Sequence, residues 1–179
     1  IQDEFSGLDV LVCANLPYYI TSPVIMKLLE EKLPVDSLTV MVQKEAAVRI
    51  CAAPGTRACG AVSVAVQYYS QPQILFDVPR DCFFPAPNVD SAVIRLNIRK
   101  EPPVKLETEE KQFFKLVKAA FGQRRKTVLN SLNTGLGKSK EELSAALQQA
   151  GIAPTARAEQ LTMEQFGTLC NLLFPNKTK

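Results

Sequence analysis

The sequence predicts an α/β fold: the second half of an open, doubly wound sheet, followed by a small all-α carboxy-terminal domain. Three observations carry that expectation. Short apolar runs rich in β-branched residues alternate with amphipathic, helix-length segments over the first hundred residues, as strands and crossover helices do in a largely parallel sheet. Glu101-Pro102-Pro103-Val104 then reads as a linker. Beyond it the apolar spacing turns helical throughout.

Taken in order, residues 8–14 (LDVLVCA) form a nearly continuous apolar run, the pattern of a buried parallel strand. Asn15-Leu16-Pro17-Tyr18-Tyr19 is a turn-forming loop. Thr21 or Ser22 caps the helix that follows, with Pro23 near its first position and Val24, Ile25, Leu28 and Leu29 as its apolar stripe. Residues 38–42 make a second buried strand and residues 44–52 a second helix. Ala53-Pro54-Gly55-Thr56 is a loop. Residues 60–69 fit both periods: Val62, Val66 and Tyr69 have helical spacing, while the β-branched content favours a strand, and helix is the preferred reading. Residues 74–78 and 92–98 are two strands joined by a proline-marked loop. A doubly wound sheet needs several strands before this point, so the chain is read as starting mid-domain.

After the linker, Phe113, Phe114, Val117, Ala120 and Phe121 line one helix that stops at Gly122. Ser139-Lys140-Glu141-Glu142 and Thr162-Met163-Glu164-Gln165 match the capping box and open two more helices, the first ended by Gly151 and the second limited by Pro175. The expected division is residues 1–100 for the sheet domain, 101–107 for the linker and 108–179 for the helical domain.

Composition narrows the chemistry. Apolar residues make up 46% and charged residues 22% of 179, so a packed core is expected. No run approaches the ~18 apolar residues of a membrane span and no secretory leader opens the chain, so a cytoplasmic location is expected. The five cysteines are odd in number and scattered, which suits reduced thiols. There is no histidine, which excludes Ser-His and Cys-His nucleophilic pairs and leaves zinc only thiolate or carboxylate ligands. Cys51 and Cys59 are not in a zinc spacing, so no metal site is expected. Of the 21 lysines and arginines, eight lie between Lys111 and Lys140 with no Asp or Glu among them; thirteen remain elsewhere against all 18 acids. A basic segment on an otherwise acidic chain points to a polyanion such as nucleic acid, or else to a solvated helix face.

Asn15-Leu16-Pro17-Tyr18 sits where open α/β sheets place ligands, just past the carboxyl end of a strand. Its residue types suit methylation of an exocyclic amine. The Asn15 side-chain oxygen and the Leu16 carbonyl can accept hydrogen bonds from an adenine amino group, Pro17 stiffens the turn, and Tyr18 offers a face for an unstacked base. No strong base is required, because alignment of the amine with the methyl supplies the rate. The four residues alone are equally an ordinary turn.

Four blocks lift that ambiguity: NLPYYITSP at 15–23, MVQKEAAVRI at 41–50, FFPAPNVDS at 83–91 (an F-x-P-x-P-x-V-x-S pattern) and KAAFGQRRKTVLNSL at 118–132. In this order, over nearly the whole chain, they resemble the bacterial KsgA/RsmA family of small-subunit rRNA adenine N6-dimethyltransferases. The resemblance implies a Rossmann-like S-adenosylmethionine-dependent methyltransferase sheet and dimethylation of the N6 amines of adjacent adenines in 16S rRNA. It also implies a role in small-subunit maturation, with rRNA or the immature 30S subunit as partner and the protein as a monomer. It makes Asn15, Leu16, Pro17, Tyr18 and Phe83 the catalytic set, with Asn15 and Pro17 also beside the methyl donor and Phe83 stacking opposite Tyr18. One of Phe83 and Phe84 is expected in the core, and Cys82 beside them is expected to be a filler. Lys118, Arg124, Arg125 and Lys126 are implied as the RNA contact, the arginines having packing against the neighbouring domain as their alternative. Gly55-Thr56-Arg57 is as much a surface turn as a phosphate contact.

The sequence departs from the family at the donor site. The glycine-rich loop and the acidic residue after the second strand are not found, and Gly55–Gly60 lacks the G-x-G-x-x-G spacing. This chain is therefore expected to hold little of the donor site and to be inactive alone. An antibiotic-resistance rRNA adenine methylase shares the N-L-P-Y design, and a non-catalytic rRNA-binding or ribosome-assembly module is the reading from another class.

Overall fold

The computed structural model describes residues 8–175 of the chain, and the structural statements that follow concern those residues. Four strands are interspersed with three helices before an all-helical second half: β1 (Leu11–Asn15), α1 (Thr21–Glu30), β2 (Ser37–Gln43), α2 (Lys44–Cys51), α3 (Ala61–Tyr69), β3 (Ser70–Val78), β4 (Ser91–Ile98), α4 (Glu110–Ala120), α5 (Val128–Leu136), α6 (Lys140–Gln149) and α7 (Met163–Leu173). The sheet order is β1-β2-β4-β3, with β1 and β2 parallel and the other two pairings antiparallel. This is the expected Rossmann-like α/β half.

The core of the sheet sits on β2 and β4, the two strands paired on both sides. Leu38, Val40 and Val42 of β2 and Ala92, Ile94 and Leu96 of β4 are almost fully buried, as are Ile25 and Leu29 of α1 and Ala47 and Ile50 of α2, and α2 packs against β2 and β4. Each of the valine, leucine and isoleucine side chains contributes about 1.5–3 kcal/mol of burial. The expectation that β1 is buried does not hold. Its residues alternate exposed and half-buried, and Leu11 keeps 64% of its surface. The reason is its place at the sheet edge, where only β2 pairs with it.

Other boundaries differ for local reasons. Thr21 is the first residue of α1, not its cap; its hydroxyl donates to the Pro17 carbonyl at 3.3 Å, and Ile20 stands at the cap position. Residues 61–69 are helical, and Val64, Ala65, Val66 and Tyr68 are the buried members, with Val62 and Tyr69 half-buried. Burial on several sides overrides the strand propensity of the valines. β3 begins at Ser70, four residues earlier than its apolar content suggests, and holds Pro72 on an edge strand, where a missing donor is tolerated. Gly55, at φ +87, shapes a turn in which Thr56 and Arg57 are exposed.

By packing, the chain forms two compact units, residues up to Ala52 with Ala65–Glu101, and Ala53–Val64 with the chain from Pro102. In the second unit, α4 buries Phe113, Leu116, Val117, Ala119 and Ala120; Leu116 replaces Phe114 and Phe121, which are half-buried. α5 was not foreseen. Thr127 caps it by accepting the Asn130 N–H, and Gly137 at φ +66 ends it. Both halves of the box form at Thr162 and Gln165. At α6 only Ser139 accepts, from the Glu142 N–H at 3.2 Å, because the Glu142 carboxylate is held by Lys138.

Candidate active site

The parallel β1–β2 pairing sets Asn15 beside Met41 in register, at the carboxyl ends of both strands. Pro17, with φ −56 and ψ 133 and no N–H, turns the chain there into a single 3-10 turn over Tyr18–Ile20. The turn holds itself: the Leu16 N–H donates to the Met41 carbonyl at 3.4 Å, and the Pro17 carbonyl accepts from the Ile20 N–H at 3.1 Å and from the Thr21 hydroxyl. Two acceptors are left over among the described residues, the Leu16 carbonyl and the side chain of Asn15, which is exposed and without a partner.

Across from this turn lies the loop between β3 and β4. Pro79, Pro85 and Pro87 remove three donors from it, so it cannot pair as a strand and stays at the surface. Both phenylalanines therefore stand at its rim. Phe83 is half-buried and Phe84 fully exposed, so neither is the core residue expected. Cys82 is exposed as well, and does not fill the core. The loop is tied to the turn by one strong contact: the Tyr18 hydroxyl and Ser91 Oγ lie 2.7 Å apart, and Ser91 is fully buried at the start of β4. That bond fixes the Tyr18 ring by its far end.

Together they enclose an open cavity of about 370 Å³ lined by Asn15, Leu16, Pro17, Tyr18, Met41 and Phe83, with Phe84, Pro85 and Pro87 completing the rim. Every expected catalytic residue meets here. The volume is that of a small-ligand site, with aromatic walls and a few polar groups. Sequence reasoning missed Met41, which arrives through strand register, and Ser91, whose position as the last residue of the F-x-P-x-P-x-V-x-S block was its one visible mark.

The basic residues line no part of this cavity. Lys118 is exposed on the last turn of α4, and Arg124, Arg125 and Lys126 are exposed in the link to α5. None has an ion-pair partner among the described residues, whereas Lys138 is paired with Glu142. All five cysteines are free. Burial pushes the thiols of Cys51 and Cys59 up to about 11 and that of Cys170 to about 12, removing them as nucleophiles near neutral pH. No described helix is long and apolar enough to cross a membrane.

The family model described as ribosomal RNA adenine dimethylase matches residues 5–174. Proteins named ribosomal RNA small subunit methyltransferase A are similar to the chain. That of Geobacillus sp. (strain WCH70) is 52% identical over 177 residues, covering 97% of this chain and 60% of its own length. That of Alkaliphilus oremlandii (strain OhILAs) is 54% identical over 174 residues, with the same coverage of 97% and 60%. The chain thus spans about 60% of the length of these curated relatives. Among solved structures, a dimethyladenosine transferase from Plasmodium falciparum superposes with a TM-score of 0.72 at 25% identity, over 92% of this chain and 66% of that one. The 23S rRNA methyltransferase ErmE gives 0.63 at 25% identity, over 91% and 64%.

Proposed function

Since the chain belongs to the ribosomal RNA adenine dimethylase family, we propose that the protein it represents dimethylates the N6 amines of adjacent adenines in small-subunit rRNA, during maturation of that subunit. The observation that carries this reading is the union of the Asn15–Tyr18 turn and Phe83 in one aromatic-walled cavity, tied by the Tyr18–Ser91 bond.

The chemistry follows from the acceptors. An adenine drawn out of its stack lies between the Tyr18 and Phe83 rings, each such stack contributing about 1–3 kcal/mol. Its amino hydrogens point to Asn15 Oδ1 and the Leu16 carbonyl, which turns the nitrogen lone pair outward along one direction. These groups are fixed before the base arrives, so they act in the transition state at little reorganisation cost. The proton displaced from the amine leaves to water, and no histidine is required. S-adenosylmethionine would supply a methyl on a positively charged sulfur. The residues present fit one side of such a donor: the Asn15 amide is exposed and unpartnered among the described residues, and exposed Pro17 offers an apolar edge.

The rRNA contact falls to Lys118, Arg124, Arg125 and Lys126 of the helical domain, taken as residues 108–179 after a linker at 101–107. The protein acts as a cytoplasmic monomer. Because no G-x-G-x-x-G turn is present in the sequence, this chain by itself binds the donor weakly and is inactive. These cations, unpaired among the described residues, support one further reading of the isolated chain, a non-catalytic rRNA-binding module in ribosome assembly. A resistance-type methylase of large-subunit rRNA shares the fold, but relatives at about half identity carry the small-subunit name.

Nucleoside mass spectrometry of small-subunit rRNA tests the proposal. A protein of the relatives' full length should yield N6,N6-dimethyladenosine, and this chain alone none. Dimethylation by the chain alone would overturn the partial donor site, and a different modified nucleoside would overturn the activity.

A further inference from the structure

A second cavity, of about 580 Å³, is lined by the flanks of the same proline-rich loop, and we infer that it holds the nucleotide bonded to the target adenine on the same RNA strand. The inference rests on the proposed base pocket and deepens it. Consecutive residues divide the loop between the two cavities: Pro87 lines the first and Asn88 the second. The two cavities therefore adjoin at one peptide of the loop.

The second cavity is built before any ligand enters. Gln43 at the end of β2 pairs with Ser91, the Lys44 N–H donates to the Asp90 carbonyl at 3.0 Å, and Asp90 Oδ1 accepts the Arg80 N–H at 3.0 Å. These bonds pin both ends of the loop to the start of α2. Since Ser91 also holds Tyr18, one segment anchors both sites.

Its lining matches a nucleotide group by group. Val48 and Val89 leave 45% and 42% of their surfaces open, an apolar wall for a base face. The Gln43 and Asn88 amides make no side-chain hydrogen bond among the described residues and can pair with a base edge. Two of the charges are paired, Lys44 with Asp77 at 2.7 Å and Glu45 with Arg49 at 2.6 Å, while the Asp90 carboxylate accepts only from the uncharged Arg80 amide. The Arg80 guanidinium alone among the described lining cations has no ion partner. With Asp90 counted the lining carries no net charge, which disfavours a polyphosphate and leaves the Arg80 guanidinium to meet a single bridging phosphate.

Binding of this chain to a uridine hexamer with a central adenine pair tests the site, with either adenine replaced by an abasic residue. For the wild-type chain, each abasic residue should weaken binding about tenfold, in the range of one lost stack. The variant Asn88→Ala with Val48→Ala should weaken the intact RNA about tenfold and erase the penalty of one abasic residue only. Phe83→Ala should erase the other. Arg80→Gln, which leaves the amide bond to Asp90, should lower the slope of log K against log salt by ~0.7. If the Asn88/Val48 variant binds the intact RNA as tightly as wild type, or Arg80→Gln leaves the slope unchanged, the second site is wrong. If Phe83→Ala alone has no effect, the base pocket is wrong and the second site stands apart from it.

Discussion

At the scale of residues, the site depends on which polar atoms the fold consumes and which it leaves free. The Pro17 carbonyl is used twice within its own turn, while the Asn15 side chain is not used by any of the described residues. The cysteines divide by the same logic of burial. Burial favours the neutral thiol, so the raised values of Cys51, Cys59 and Cys170 make them slow to react, while Cys13 and Cys82 are exposed. Titration with a chromogenic disulfide at pH 8 should show two fast thiols in the native chain and five after unfolding. Fast labelling of Cys170 would contradict the burial. The sign for stability follows: the contribution of the buried neutral thiols is whole below the ordinary value of 9.0 and is lost as pH rises through about 11 to 12.

At the scale of elements, close approach decides more than propensity. A Cβ placed on Gly135 of α5 would lie 2.7 Å from Cβ and 3.0 Å from Cα of Ala119 on α4. Gly135→Ala gains up to about 1 kcal/mol in helix propensity but overpacks a backbone contact, at a cost of about 1–3 kcal/mol. Urea unfolding should therefore show a lower midpoint; an unchanged or higher one would mean that the two helices separate freely. This contact also explains why α5 was illegible. Its glycine and an Asn130 where a capping box has Glu or Gln remove the usual marks, although Thr127 caps it. By contrast α7 carries both halves of its box in sequence and was plain. β1 reads as buried because its composition is apolar, yet burial depends on neighbours that composition does not report.

At the scale of the whole molecule, the chain keeps its candidate base pocket and its basic segment in separate compact units. The turn motif, Phe83 and the basic run were all legible in order along the chain. Their complement was not, because the insertion of β4 between β2 and β3 is a non-local pairing, and it is this pairing that delivers Ser91 to Tyr18. Arg124→Glu with Arg125→Glu should flatten the slope of log K against log salt for RNA by ~0.7 to 0.9 per lost phosphate contact, with the melting temperature held. A lowered melting temperature with the slope intact would assign those arginines to packing. The central claim is that Asn15 acts on the reacting amine and not on RNA as a polyanion. In a protein of the relatives' full length, Asn15→Ala should lower kcat by ~10²-fold or more, as for a lost preorganised group, with RNA affinity nearly unchanged; intact turnover with tenfold weaker RNA binding would contradict it.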